Sequence, residues 1–240
     1  MKLHVIVCNI MTREISLVAA TCESTLNLHF MEQELHDRPD QLRKDLQAEI
    51  DSIDGDGGDG DADAIILAYG LCSNAICGLR SKYYPMVAPR AHDCMTLIVG
   101  SKERYQEYFD RHPGTYWYTP GWIEQTPVPG KERVERTRAD YAAKFGEENA
   151  DYLMEMEQEW LRTYSRCAYV AWPELHRDEY RSATRDSAVY LEWEFDEIVG
   201  DDGLMRRLLG GQWDGADVLV VPPGETIEPS YNRSIIQSTD

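Results

Sequence analysis

Long apolar runs are absent from this sequence. Its apolar stretches, such as IILA and VLVV, are a few residues long, whereas a helix that crosses a bilayer needs about 20 apolar residues. We therefore expect no membrane-spanning segment. The opening MKLHVIVCNI carries a single lysine and no small-residue cleavage site, which is typical of a first strand rather than of a signal peptide. We expect a cytoplasmic protein.

Positive charge is also scarce. The chain has 24 Lys and Arg residues against 43 Asp and Glu residues, and its formal net charge is −19. This excess of negative charge repels phosphate backbones and anionic lipids, so we expect neither nucleic acid nor a membrane as a partner. A basic face on another protein is the partner that the charge favours, although acidity that serves only solubility explains it equally well.

Cysteine is sparse. Six cysteines in 240 residues are too few for a disulfide framework, and a reducing cytosol keeps them as thiols. No C-x-x-C motif occurs, so the signatures of structural zinc sites and of thioredoxin-like sites are missing. A chain of this length buries a core without metal. Each thiol is therefore a core residue, a metal ligand or a reactive group.

The common catalytic motifs are missing as well. The sequence contains no G-x-G-x-x-G after a strand, no P-loop and no nucleophile elbow. Asp and Glu are abundant, but no pair of them stands out as a general acid and base. These absences favour a protein without catalytic activity, and they leave enzyme function open.

What is present is an alternation of short apolar runs with polar, helix-compatible segments, which indicates α/β units around a mainly parallel sheet. We predict a single α/β domain over residues 1–240, with a doubly wound, Rossmann-like sheet. The predicted strands are 3–8, 25–30, 64–69, 85–89, 114–119, 167–172, 190–195 and 217–222.

Four helical regions are predicted between these strands. One starts at Pro39, because proline suits the first turn of a helix, and its apolar residues repeat at helical spacing. A second covers about 94–111 with a break near Gly100. A third is a long, charged helical region over about 131–165, interrupted at Gly146. The fourth is the short GDDGLMRRLLGG segment, where glycine follows the helix.

The acidic segment DGDGGDGDAD, residues 54–63, has the aspartate spacing of a calcium-binding loop. Ile65 stands where an EF-hand would need its bidentate glutamate. The segment is therefore interpreted as a flexible, glycine-rich loop.

Three cysteines come directly after or at the end of predicted strands. Cys8 ends the first strand, Cys72 follows the third and Cys94 follows the fourth. Because the carboxyl ends of parallel strands form the ligand-binding edge of an open sheet, these thiols are expected to converge there. Core filling is the alternative for each of them, since free cysteine is often buried. The remaining cysteines, Cys22, Cys77 and Cys167, are interpreted as core residues.

The PRAHDC segment adds further candidates. Cys94 is predicted at a helix N-terminus beside His92 and Arg90, which should favour the thiolate. His92 lies two residues from Cys94, so both are expected to reach one metal. Asp93 is expected to cap the helix or to orient His92, and Arg90 offers donors for a carboxylate or a phosphate. The predicted metal ligands are Cys72, Cys94, His92 and Cys8.

Several motifs together resemble one family. YGLC at 69–72 with Asn74, PRAHDC at 89–94 and GTYWYTPGW at 114–122 resemble the uncharacterised bacterial and archaeal family called domain of unknown function 1638. GEENA at 146–150 and VPPG at 221–224 extend the resemblance over nearly the whole chain. It departs from the family pattern at Ala75, where a glycine is expected. Similar proteins accompany anaerobic metalloenzymes, including nitrogenase-type and corrinoid methyl-transfer systems.

The resemblance and the thiols together lead to a first hypothesis: a non-catalytic accessory protein that docks on such a metalloenzyme. It would bind zinc, iron or a metallocofactor fragment at the predicted ligands, with Asn74, Arg90 and Asp93 as further cofactor contacts. A second hypothesis is an enzyme of methyl or small-molecule transfer that uses Cys94 or Cys72 as nucleophile or zinc ligand. A third is a binding domain for a small anionic metabolite at Arg90.

Overall fold

The computed structural model describes residues 1–32, 38–55 and 62–239. The chain divides into two compact units: Met1–Tyr105 with Gly200–Asp240, and Gln106–Val199. Within the described residues, no helix is both long enough and apolar enough to cross a membrane.

Ten strands lie in the described part of the chain. In order they are β1 Lys2–Cys8, β2 Thr25–Met31, β3 Ala64–Ala68, β4 Met86–Pro89, β5 Thr115–Tyr118, β6 Arg166–Ala171, β7 Glu194–Val199, β8 Val218–Val221, β9 Thr226–Pro229 and β10 Ile236–Thr239.

Nine α-helices are found in the same residues. They are α1 Thr12–Ala19, α2 Pro39–Asp54, α3 Met95–Val99, α4 Lys102–Arg111, α5 Pro120–Gln125, α6 Lys131–Phe145, α7 Glu147–Gln158, α8 Asp178–Leu191 and α9 Gly203–Leu209. Short 3-10 helices cover Asn9–Met11, Glu159–Thr163 and Pro173–Leu175.

The first unit is built on a five-stranded sheet with the order β2-β1-β3-β4-β8. Its first four strands are mutually parallel, and β8 runs antiparallel to β4. Every residue of β3 and β4 is buried, as expected for inner strands covered on both faces, and this explains their unbroken apolar sequences. An antiparallel pair, β9 with β10, belongs to the same unit.

Helix α2 forms for the predicted reasons. Pro39 occupies its first turn, and Leu42, Leu46 and Ile50 point into the core at helical spacing. The predicted break in the following helical region is also present, because Gly100 has a left-handed φ of 89° between α3 and α4. A Cβ at Gly100 would lie 2.5 Å from atoms of Asp201, so only glycine fits there.

The second unit contains a three-stranded parallel sheet with the order β5-β6-β7. Its core is built around the buried side chains of Tyr118, Cys167 and Tyr169. Residues 131–163 are helical almost throughout, with a break at Gly146, where a helical region was predicted. The parallel strands thus fall into two sheets rather than into one.

The predicted α/β class with a mainly parallel central sheet is confirmed. The strand predicted at 190–195 is wrong in its first half, because α8 continues to Leu191 and β7 starts only at Glu194. Helices α1 and α8 and the β9–β10 pair were not predicted. The single domain over 1–240 stays a prediction, and most of the predicted acidic loop at 54–63 lies outside the described residues.

Candidate functional site

The candidate site lies at the carboxyl edge of the five-stranded sheet. Strands β1, β3 and β4 are adjacent and parallel, so their carboxyl ends share one edge. Cys8 is the last residue of β1, and Cys72 and Cys94 lie in the segments that follow β3 and β4. The structure therefore brings the three predicted thiols to the same edge.

Two of these thiols are in contact. The Sγ atoms of Cys72 and Cys94 are 3.7 Å apart. Cys94 is buried, with 2% of its surface exposed, whereas Cys72 is half-buried. The backbone N–H of Gly70 donates a hydrogen bond to the Cys94 sulfur. The pair is thus open to solvent on the Cys72 side and closed on the Cys94 side.

The third thiol and a tyrosine complete the cluster. Burial raises the pKa of the Cys8 thiol to about 12, and the neighbouring Cys94 acts in the same direction. Burial also raises the pKa of Tyr69, and Cys8, Cys94 and Cys72 raise it further. Within the described residues the buried Tyr69 hydroxyl has no partner at full hydrogen-bond geometry, but it lies close enough to the Cys8 thiol to interact with it. We call Cys8, Tyr69, Cys72 and Cys94 the thiol cluster.

The protonation state of Cys94 differs from the prediction. Its hydrogen bond with Cys72 and its burial raise the pKa of the Cys94 thiol well above the ordinary value. The predicted preference for thiolate at this position is wrong. Helix α3 has only five residues, and its N-terminal dipole is outweighed by complete desolvation and by the neighbouring thiol.

The turn that carries Cys72 is strained. Cys72, Ser73 and Asn74 all have left-handed φ angles, of 45°, 57° and 64°. Each costs an L-residue roughly 1–2 kcal/mol, so three in succession must be held by surrounding contacts. Asn74 is exposed, and its carbonyl accepts a hydrogen bond of 2.8 Å from Arg43 Nη2. Its predicted role as a cofactor contact stays a prediction.

Contacts between the two segments hold the turn in place. The backbone N–H of Leu71 donates to the Ala91 carbonyl at 2.8 Å, and that of Cys72 donates to the His92 carbonyl at 3.1 Å. A Cβ at Gly70 would lie 2.4 Å from the backbone of Asp93. Only glycine allows this close approach, and the approach sets the distance between the two sulfur atoms.

Asp93 has the capping role that the sequence suggested. Its Oδ1 accepts a hydrogen bond of 3.0 Å from the Met95 N–H in the first turn of α3, and its Oδ2 accepts one from the Tyr105 hydroxyl. Burial raises the pKa of this carboxyl, and the bond from Tyr105 partly opposes the rise. Asp93 thus fixes the start of the helix that carries Cys94.

Arg90 is occupied by contacts within the protein. Its guanidinium donates to the carbonyls of Gly215, Ser234 and Ile236, and its backbone N–H donates to the carbonyl of Asp217. These contacts tie the end of β4 to the C-terminal segment. The structure gives Arg90 a structural role, and its predicted role as an anion or cofactor contact stays a prediction.

The remaining predicted positions differ in their exposure to solvent. His92 is exposed, and its carbonyl is taken by the Cys72 N–H. Across residues 1–32, 38–55 and 62–239, no three or more His, Cys, Asp or Glu side chains are arranged to hold a metal. Cys167 is a core residue as predicted, whereas Cys22 and Cys77 are only partly buried.

Sequence reasoning missed Tyr69 and the left-handed turn. Tyr69 is the first residue after β3, in the same YGLC motif as Cys72. Its position at the strand end was the available signal. The run of left-handed residues left no such trace, because only Asn74 among the three is a residue type that favours this conformation.

Comparison with known proteins gave one match. The model of the family described as "Protein of unknown function (DUF1638)" matches residues 30–209. Cys72, His92 and Cys94 lie inside the matched region, and Cys8 precedes it. No curated protein and no solved structure matched the chain. The family match covers well over half of the sequence, and the chain therefore belongs to the DUF1638 family.

Proposed function

We propose that this protein binds a thiophilic metal ion, zinc or iron, or a metallocofactor fragment, through Cys72 and Cys94. The supporting observation is the 3.7 Å separation of their sulfur atoms. Two thiolates bound to one zinc ion at about 2.3 Å in tetrahedral geometry are about 3.8 Å apart. The pair therefore fits two ligand positions without rearrangement of the turn.

The raised pKa values of the thiols are compatible with a site in which a metal ion displaces the thiol protons when it binds. The pKa values of Cys8 and Cys94 are raised, so the metal-free protein holds neutral thiols at neutral pH. Thiolates are the form that binds metal, and the charge of the bound ion stabilises them. Binding should consequently release protons.

Cys8 and Tyr69 complete the proposed site. Cys8 is the candidate for a third sulfur ligand, because it ends β1 at the same edge of the sheet and Cys94 helps to raise its pKa. The Tyr69 hydroxyl is buried among the three thiols and would donate a hydrogen bond to a bound thiolate. Outer-shell donors of this kind orient ligands and tune a metal. His92 remains a proposed ligand from the exposed side.

The position of the site in the sheet supports ligand binding. The order β2-β1-β3-β4 has the strand sequence 2-1-3-4 of flavodoxin-like, doubly wound sheets, in which ligands bind at the carboxyl ends beside the first and third strands. Cys8 and Tyr69 occupy those two strand ends. We therefore propose a doubly wound, Rossmann-like arrangement for the first unit.

We further propose that the protein is a non-catalytic accessory factor that docks on a metalloenzyme of the nitrogenase or corrinoid methyltransferase type. The family resemblance supports this association, and the net charge of −19 supports a partner with a basic face. The raised pKa of Cys94 disfavours the alternative of a cysteine nucleophile. The contacts of Arg90 disfavour the alternative of an anion site there.

Metal analysis of protein purified without oxygen tests the binding proposal. We expect about one zinc or iron ion per chain, and loss of that metal in the Cys72→Ser and Cys94→Ser variants. Cys22→Ser is the matched control, because Cys22 is also a partly buried thiol but lies outside the thiol cluster. A metal-free wild type that stays metal-free after incubation with either ion would refute the proposal.

Affinity capture on the tagged chain from an anaerobic lysate of the source cells tests the docking proposal. We expect a metalloenzyme subunit to be recovered at low salt and lost at high salt, since screening weakens attraction between unlike charges. Recovery of no metalloenzyme, with the bait folded and metal-loaded, would contradict it.

A further inference from the structure

Two histidines face each other on the neighbouring strands β1 and β2, at the end of the five-stranded sheet opposite β8. The Nδ1 of His4 on β1 is 2.9 Å from the Nε2 of His29 on β2, and the ring centroids are 5.1 Å apart. Strand β2 is one of the two edge strands of this sheet. In the parallel register His4 lies opposite Asn27, and Ile6 lies opposite His29, so the two rings and Asn27 share one face of the sheet.

A carboxylate from α2 fixes the second ring. His29 Nδ1 lies 2.6 Å from Glu49 Oε1, and the two side chains are 20% and 31% exposed. A neutral imidazole that donates its Nδ1 proton to a carboxylate keeps a lone pair on Nε2. In that tautomer, His29 Nε2 is the nitrogen that lies beside His4. Metal-binding histidines are usually oriented by a carboxylate in this way.

The spacing of the nitrogens matches two neighbouring positions on a metal ion. Imidazole nitrogens bind divalent metals at about 2.0–2.1 Å. Two such bonds at a right angle separate the nitrogens by about 2.9 Å, whereas tetrahedral bonds separate them by about 3.3 Å. The observed 2.9 Å is the length of a hydrogen bond between the rings in the metal-free protein, and it lies close to both spacings. A ligand set of imidazole nitrogens with an amide oxygen suits copper(II) and nickel(II).

A third donor stands beside the pair. The Asn27 side-chain nitrogen is 3.4 Å from His4 Nδ1, and a half-turn of the amide exchanges its nitrogen and oxygen. Asn27 is exposed, and His4 and His29 are partly exposed, so an ion reaches the pair from solvent and water completes its coordination.

We propose that His4 and His29 form a second metal site, selective for nickel(II) or copper(II), with Asn27 as a further oxygen ligand and Glu49 as the positioning carboxylate. In the metal-bound form, His4 carries its proton on Nε2 and His29 carries its proton on Nδ1, so that His4 Nδ1 and His29 Nε2 are both unprotonated ligands. The site uses no thiol and does not depend on the function proposed for the thiol cluster. His4, Asn27 and His29 also precede residue 30, where the family match begins.

Titration of the full chain with nickel(II) in competition with a chromogenic chelator tests the proposal. We expect an ion bound without the intense charge-transfer bands of nickel thiolates, which separates this site from the thiol cluster. His4→Gln and His29→Gln should each weaken binding at least tenfold. Glu49→Gln should weaken it about 10- to 100-fold, the usual effect of losing an orienting carboxylate.

His176→Gln is the matched control, because His176 also contacts a carboxylate, that of Asp178, but has no second imidazole beside it among the described residues. Its affinity for nickel should equal that of the wild type. Unchanged nickel binding in folded His4→Gln and His29→Gln would overturn the proposal, as would spectra that show thiolate ligands only.

A measurement on the wild type keeps the test valid if a variant does not fold. Diethyl pyrocarbonate modifies accessible imidazoles, and a bound metal protects them. We expect nickel(II) to slow modification of His4 and His29 at least tenfold while His176 reacts as before. Equal modification with and without nickel would overturn the proposal.

Discussion

At the scale of single residues, the close packing of Gly70 against Asp93 controls the geometry of the thiol cluster. We expect Gly70→Ala to destabilise the protein by about 2–4 kcal/mol, because the new Cβ would lie 2.4 Å from backbone atoms. Chemical denaturation measures the change. Metal binding should fall as well, because the sulfur pair would be pushed apart.

Gly78→Ala is the control for this prediction. Gly78 has a left-handed φ, of 79°, which Gly70 does not have, but a Cβ at Gly78 would meet nothing within 4 Å. Gly78→Ala should therefore lower the free energy of unfolding by only about 1 kcal/mol, the cost of the left-handed backbone conformation for alanine. A loss of stability in Gly70→Ala no larger than that in Gly78→Ala would contradict the steric explanation.

Cys167 provides a pH-dependent prediction that is independent of any metal. Burial raises the pKa of this thiol to about 11, against an opposing hydrogen bond with Tyr118. The unfolded thiol ionises near the ordinary cysteine pKa of 9.0, so the folded state holds the proton more tightly between pH 9 and pH 11. Stability should fall over that window by about 1.4 kcal/mol per pH unit.

Urea denaturation from pH 8 to pH 11 on the wild type and on Cys167→Ala checks this expectation. The variant lacks the titrating group, so its unfolding should release about one proton fewer over this range. Its free energy of unfolding should therefore fall less steeply with pH than that of the wild type. Parallel pH profiles for the two proteins would refute the assignment.

At the scale of elements, the segments that follow β3 and β4 are in contact through the thiols of Cys72 and Cys94. A diazene oxidant removes two hydrogen atoms from a thiol pair and leaves a disulfide and a hydrazine. Since the sulfur atoms of Cys72 and Cys94 are 3.7 Å apart and a disulfide needs about 2.05 Å, we expect these two to be linked first.

Mass spectrometry of proteolytic peptides detects that bond. Cys72→Ser should abolish it, and Cys77→Ser should leave it intact, because Cys77 is outside the thiol cluster. Preloading with zinc should slow the oxidation, since the metal would occupy both sulfurs. Formation of a Cys72 to Cys77 link instead would show that the left-handed turn is not maintained in solution.

The carboxyl-end thiols were predictable and their environment was not. The apolar runs before Cys8, Cys72 and Cys94 indicated where the strands end. Because the carboxyl ends of parallel strands lie at one edge of the sheet, the three thiols were then expected to lie at that edge. The pKa of Cys94 depends on complete burial and on Cys72, and neither is visible in local sequence. The structural contacts of Arg90 were not predicted for a related reason, because its partners Ser234 and Ile236 are far away in sequence.

Element boundaries failed where two patterns overlap. The segment YLEWEF alternates in the manner of a strand, yet Tyr190 and Leu191 end α8. Glu192 then adopts a left-handed conformation that closes the helix, with φ of 58°. Glycine or asparagine usually marks such an end, so a glutamate there gives no signal.

At the scale of the whole molecule, Arg90 connects the central sheet to the C-terminal segment. We expect Arg90→Lys to increase amide hydrogen exchange in β9 and β10, because one ammonium group cannot reach the carbonyls of Gly215, Ser234 and Ile236 together. Exchange in β5, β6 and β7 should be unchanged and serves as the internal reference. Equal exchange in β9 and β10 before and after the change would contradict this role.

Helix α6 differs from the other long helices. The structure describes all 15 of its residues, and none of them is buried. It is held to α7 by surface contacts such as the ion pairs of Arg138 with Glu147 and Asp151. Exposed pairs contribute little and a helix of this length is marginal alone. The α6 segment should therefore unfold locally before any strand of either sheet. Trypsin should then cut the native protein first at the peptide bonds that follow the arginines and lysines of α6.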